Sequence, residues 1–177
     1  MAGGLKSQIS PDPPAPPDPQ PNQYSYYLPY FTRDSEHATG VALRNLDENE
    51  NASITISIFD QNGAKLEEKF QILSGRGQNA FVAGDGISGK GWIFVESDRP
   101  LAGLAFVGTY KGGIDYMADM SLIPDLATTL HVPHVGQNDK WDTTIYICNP
   151  NNVSNTVRIT YVDAEGVETH TRYYTIQ

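Results

Sequence analysis

From Tyr24 onward the apolar residues of the chain recur with a period of two. The stretch ASITISIFD, starting at Ala52, places Ile54, Ile56 and Ile58 on one face and Ser53, Thr55 and Ser57 on the other. That alternation is the signature of a half-buried strand. It ends in DQNG, where Asn62-Gly63 marks a turn, and KLEEKFQIL returns as the second strand of a hairpin. Further strands are expected at TGVALRNL, QNAFVA, GWIFVES, LAGLAFVGTY and IDYMADMSLI. No segment carries the apolar stripe of a long amphipathic helix. Short strands at this spacing, separated by Gly, Asn and Asp, predict an all-β antiparallel sandwich or barrel, and the sandwich is the reading adopted here.

The pattern also repeats. YLPYFTRDSEHATGVALRNL from Tyr27 lies over HVPHVGQNDKWDTTIYICNP from His131 without a gap. Pro29 then falls on Pro133, Thr39 on Thr143, Val41 on Ile145, Leu43 on Ile147 and Asn45 on Asn149. With one residue deleted, ITISIFDQNG from Ile54 lies over VRITYVDAEG from Val157, so Asp60 meets Asp163 and Gly63 meets Gly166. Three segments follow: a proline-rich spacer over 1–23, a first sandwich unit over 24–126 and an incomplete second unit over 127–177. The second unit has no counterpart of residues 75–110. Those residues supply the expected central strands of the first unit, with Trp92, Ile93, Phe94, Val95, Leu104 and Phe106 as core candidates and Gly103 and Gly108 as points of close packing or bulging. A sandwich lacking them exposes an apolar face and unpaired strand edges. The expectation is a chain cut from a longer protein, the alternative being strands supplied by a neighbouring copy.

The unit resembles a β-sandwich module found in tandem in secreted or surface-associated bacterial proteins. The residues that carry the resemblance are Pro29-Tyr30, the alternating strand closed by Asn45, Asp60 with Gly63, Gly91-Trp92, and Ser97-Asp98-Arg99-Pro100-Leu101-Ala102-Gly103. The same order is similar to that of the sensory rhodopsin transducer family, so the sandwich is expected to be immunoglobulin-like or transducer-like. The resemblance implies an extracytoplasmic location and oligomerisation, and it brings no catalytic residues with it.

Composition narrows the partners. A net charge of −9 disfavours nucleic acid, which needs a basic face, and anionic membrane surfaces equally. Seven prolines in residues 11–21 make that segment an extended, semi-rigid spacer. One cysteine, Cys148, leaves no internal disulfide and no multi-cysteine zinc site. No apolar run is long enough to span a membrane as a helix, and MAGGLKSQIS lacks the apolar stretch of a signal peptide.

Five features of the chain carry candidate chemistry. GDGISG, residues 84–89, matches a dinucleotide fingerprint, but the strand-like KGWIFVES follows where a helix is required. DENEN, residues 47–51, begins like a calcium loop, yet Ala52 and Ile58 occupy its glycine and glutamate positions, leaving a polar loop or a loose surface site. His131 and His134, followed by Cys148, suggest a metal or nucleophile site. The repeat places these histidines over Tyr27 and Tyr30, and residues three apart on a strand face opposite ways, so packing is preferred to ligation there. Asn51-Ala52-Ser53 and Asn152-Val153-Ser154 fit the N-glycosylation pattern. Tyr24, Tyr26, Tyr27, Tyr30, Tyr110 and Tyr116 form either a sugar-stacking or protein-binding platform or the packed ends of the sandwich.

These readings predict no catalytic residue, no metal site and no cofactor, with any ligand-binding residues unassigned. The leading expectation is a non-enzymatic spacing, display or adhesion module, with a protein partner or self-association through open strand edges of the second unit. Alternatives are a carbohydrate or small-ligand module using the tyrosines, an enzyme built on residues 131–148, and an oligomeric signalling adaptor resembling the rhodopsin transducer.

Overall fold

The structure, a computed structural model, describes residues 23–109, 117–133, 135–136, 139 and 142–176. The proline-rich spacer up to residue 22, Tyr110, Tyr116 and His134 lie outside the described residues. The chain is all-β: β1 (Tyr24–Arg33), β2 (His37–Asn45), β3 (Ala52–Asp60), β4 (Lys65–Leu73), β5 (Gln78–Val82), β6 (Gly89–Ser97), β7 (Leu101–Thr109), β8 (Met117–Ser121), β9 (Asn155–Val162) and β10 (Glu168–Ile176). Two four-stranded antiparallel sheets, ordered β1-β6-β3-β4 and β5-β2-β7-β8, make a complete sandwich unit, and β9 and β10 form a separate hairpin.

The core follows from the alternation. Ile54, Ile56 and Ile58 on β3 and Ile93 and Val95 on β6 bury one face of the first sheet. They meet Val41 and Leu43 on β2 and Leu101 and Ala105 on β7, with Leu28 and Phe31 from β1 filling the same layer. Each such side chain contributes roughly 1.5–3 kcal/mol by leaving water. Tyr26, one of the tyrosines expected to form either a platform or the packed ends of the sandwich, is packed in the core, and its hydroxyl accepts the Leu101 amide hydrogen at 2.7 Å. Pro29 sits where β1 is irregular: the register slips between Leu28 and Phe31, and β1 is an edge strand, both positions that tolerate a missing N–H. Beyond β8 the chain crosses to that edge, where Tyr27 and Ile123 exchange backbone hydrogen bonds at 2.8 and 3.0 Å.

Four of the six expected core residues point elsewhere. Ile93 and Val95 are buried, but Trp92 and Phe94, their neighbours on β6, lie half-buried on the outer face. Leu104 is likewise partly exposed and Phe106 faces solvent. A continuous apolar run reads in sequence as a strand buried on both sides, whereas only the period-two subset faces the opposite sheet. The expected tight packing at Gly103 is present, since a Cβ there would stand 2.7 Å from the Ala42 carbonyl oxygen. At Gly91 the constraint is harsher: β6 runs so close to β3 that a Cβ would fall 1.8 Å from the Phe59 carbonyl oxygen.

Two buried polar side chains close the strand ends. Thr39 Oγ1 accepts the Thr32 amide hydrogen at 2.9 Å and donates to the Thr32 carbonyl at 3.1 Å. Asn45, fully buried at the end of β2, donates through Nδ2 to the carbonyls of Glu50, Leu73 and Ser74 and accepts the Asp47 amide at 2.9 Å. It thereby ties the second sheet to the end of β4 in the first.

The same local bonds recur in the second part of the chain. Thr143 Oγ1 accepts the Gly136 amide hydrogen at 2.9 Å and donates to the Gly136 carbonyl at 3.1 Å. Asn149 Nδ2 donates to the Val153 carbonyl at 2.7 Å, and its Oδ1 accepts the Asn151 amide hydrogen. At the hairpin turns Asp60 Oδ1 accepts the amides of Asn62 and Ala64, and Asp163 Oδ1 those of Glu165 and Val167. Gly63 and Gly166 take φ of 83° and 84°, the left-handed conformation that glycine adopts without steric cost. Residues 142–150, aligned with β2, nevertheless form no strand. Ile145 and Ile147 are 40 % and 38 % exposed, where Val41 and Leu43 are buried.

Two stability outcomes follow. Asn45→Ala leaves buried carbonyls without a donor and is expected to cost about 3 kcal/mol, read as a fall in the urea midpoint at unchanged slope. Ile93→Ala is expected to cost about 2–4 kcal/mol through the cavity it opens, whereas Trp92→Ala, on the outer face, costs clearly less in the same measurement.

Candidate functional site

The outer face of a sandwich sheet is ordinarily polar, and here it is aromatic across three strands. Tyr27 on β1 stands opposite Phe94 on β6 in the strand register, their ring centroids 5.1 Å apart. Phe59 on β3 stands opposite Trp92 on β6, stacked at 4.4 Å with planes inclined by 11°. Cross-strand aromatic pairs of this kind stabilise the sheet by up to about 1 kcal/mol each. They also gather these rings on the side of the sheet away from the core, with the Lys65 ammonium 5.9 Å from the Phe59 ring centre.

A wall stands over this floor. The β3–β4 turn contributes Asn62 and Gly63, and residues 149–154 contribute the other side, enclosing a cleft of about 570 Å³. Asn149 holds that segment in place through its bonds to Val153 and Asn151. The side-chain amides of Asn62 and Asn152 and the hydroxyl of Ser154 make no hydrogen bond among the described residues, so they remain available to a ligand. The chain leading to the wall runs beside β1: Tyr30 stacks on Tyr146 at 3.9 Å. Burial, aided by the nearby Cys148 and Glu96, pushes the Tyr27 phenol above its ordinary range. Among the described residues, no carboxylate, histidine or lysine lines the cleft.

The residues singled out in sequence divide accordingly. Tyr27 belongs to the cleft, Tyr30 packs beside it, Tyr26 is core and Tyr24 is exposed. His131 is exposed on a segment without strand structure, and Cys148 is half-buried with its thiol raised by desolvation, which suppresses the reactive thiolate. Among the described residues no three His, Cys, Asp or Glu side chains are gathered as metal ligands. In the DENEN loop, Asp47 accepts the amides of Asn49 and Glu50, which lower its pKa, with Arg99 3.6 Å away adding to the effect. GDGISG is the turn between β5 and β6, with Gly84 and Gly86 at positive φ and a strand, not a helix, after it.

Sequence reasoning missed Phe59, Trp92, Phe94 and the 149–154 wall. The parity of Phe59 was readable, since it continues the Ser53, Thr55 and Ser57 face, whereas Trp92 and Phe94 stand in a continuous apolar run whose inward face only the opposite sheet decides. Nothing local announces the wall, because residues 149–154 lie at least 55 positions beyond Phe94, the last of these aromatic residues in the chain.

Comparisons with known proteins leave this site to be read from its own chemistry. No protein family matches the chain, and no curated protein does. A solved structure, that of Thermotoga maritima 1070, is similar at 12 % sequence identity and a TM-score of 0.49, covering 58 % of this chain and 94 % of that one.

Proposed function

We propose that the chain is a non-enzymatic interaction module whose aromatic cleft holds an uncharged, polyhydroxylated ligand of the carbohydrate class. The observation that carries this reading is the juxtaposition of the Tyr27, Phe94, Trp92 and Phe59 rings in one cleft with the amides of Asn62 and Asn152, unengaged among the described residues. Flat C–H faces of a sugar ring stack on aromatic faces, and its hydroxyls exchange hydrogen bonds with amides, which both donate and accept. The cleft volume falls within the range of about 300–1,000 Å³ typical of small-molecule sites.

Hydrolysis of a glycosidic bond ordinarily takes two carboxyl groups flanking the scissile oxygen, and among the described residues the cleft lining offers none. Binding without turnover is therefore the reading its chemistry supports. An acidic surface with net charge −9 suits neutral glycans better than sulfated or uronic-acid polymers, which it repels. The resemblance to modules of secreted and surface proteins supports an extracytoplasmic setting, where such ligands are met.

A glycan array followed by titration calorimetry on the intact chain tests the proposal. Saturable binding of a neutral glycan is expected. Trp92→Ala should weaken it roughly 30-fold, the equivalent of about 2 kcal/mol for an aromatic anchor, while the fold persists. An array without neutral-glycan binders, or affinity indifferent to Trp92, overturns it.

A further inference from the structure

Pro29-Tyr30, one of the pairs that carry the sequence resemblance, belongs neither to the core nor to the lining of the cleft. On a regular strand, residues three apart face opposite ways. On β1 they do not. Leu28 and Phe31 are both fully buried, because the pairing with β6 slips in register between them. Tyr27 and Tyr30, also three apart, are both half-buried and both kept out of the core. Bulges that re-aim a side chain in this way recur beside functional sites.

The two rings serve different parts of one cleft. Tyr27 belongs to the floor, against Phe94. Tyr30 stacks on Tyr146 at 3.9 Å with planes inclined by 20°, just before the wall begins at Asn149. Past that stack Cys148 is half-buried near Tyr27, and Asn149 is buried. The bonds from Asn149 to the Val153 carbonyl and to Asn151 lie within the wall, so they fix its shape. The Tyr30–Tyr146 stack joins the chain that carries the wall to the sandwich. Asn151, Asn152, Val153 and Ser154 are exposed, and a segment with so little burial opens at low cost.

We propose that Tyr30 is the positioning residue of the cleft. Its stack on Tyr146 sets the wall over the aromatic floor and so, resting on the carbohydrate reading, sets the affinity for a neutral glycan. A glycan that touches floor and wall together favours the docked arrangement, and by linkage the stack favours the glycan. Apparent affinity then falls by the same factor as the docked population.

Cys148 is the only cysteine of the chain, and its position between stack and wall makes its thiol a reporter of docking that needs no ligand. Its rate of labelling by an aromatic disulfide reagent under native conditions follows the open population. Tyr30→Ala and Tyr146→Ala should each speed labelling about fivefold, the weight of one aromatic pair. The double variant should be no faster than either single one, as a shared contact requires, and Tyr30→Phe should label like the parent chain. Unchanged amide exchange of β2, β3 and β6 checks that the sandwich persists in every variant. In calorimetry with the tightest neutral glycan of the array, Tyr30→Ala should lose the same factor of about five and Tyr30→Phe none. Saturating glycan should also slow labelling of the parent chain. Labelling unmoved by either alanine, or effects that multiply in the double variant, overturns the positioning role. Faster labelling at unchanged glycan affinity overturns the coupling. A parent chain that binds no array glycan sinks the carbohydrate reading and the coupling with it, while the labelling rates still decide whether Tyr30 holds the wall.

Discussion

A strand in the middle of a sheet needs two things at once: hydrogen-bond partners on both edges and an opposite layer to cover its apolar face. Every regular feature of the first unit depends on that double requirement. β3 has β4 and β6 beside it and β2 and β7 across from it, and its isoleucines are buried. β2 has β5 and β7, and Val41 and Leu43 are buried. Residues 142–150 carry the same alternation and the same terminal Thr and Asn bonds, but no described strand flanks them and they stay irregular. Two segments of like alternation thus adopt different structures, one with strand neighbours on both edges and the other with none among the described residues.

Local and non-local interactions separate cleanly in this comparison. The Asp-capped turns at Asp60 and Asp163 close within five residues, and both hairpins form. The Thr bridges at Thr39 and Thr143 span seven residues each, and both form. Contacts of this range involve little loop-closure entropy and need no distant partner. The ladders between β3 and β6, or β2 and β7, join residues several tens of positions apart, so they appear only where the whole unit has assembled.

The outer face of the first sheet shows how a cleft can share the scaffold with the core without disturbing it. The inward members of β3 and β6 are aliphatic and interlock with the second sheet, and the outward members near one end are aromatic. Because alternation separates the two sets, aromatic side chains line a cleft while the core remains intact. The wall over them belongs to the later part of the chain, which runs beside β1 through the Tyr30–Tyr146 stack. Any ligand held there would bridge the complete sandwich and the segment that follows it.

Much of this protein was legible in its sequence. Period-two alternation determined the strands, and Asp-x-x-Gly turns determined the hairpins, because both are local consequences of backbone geometry. β3 and its return strand β4 stand where the pattern of isoleucines and the Asn62-Gly63 turn put them. Which apolar residues of β6 and β7 enter the core was not legible: Phe106 is exposed and Ile93 is not, a matter of which face meets the opposite sheet. The tyrosines divided between core, stack and cleft for the same reason, as Tyr26, Tyr30 and Tyr27 differ in their surroundings and not in their chemistry. The cleft itself was decided by tertiary structure alone. Its floor is assembled from three strands and its wall from a distant segment, and spatial convergence of that kind leaves no periodicity or spacing in the chain to read.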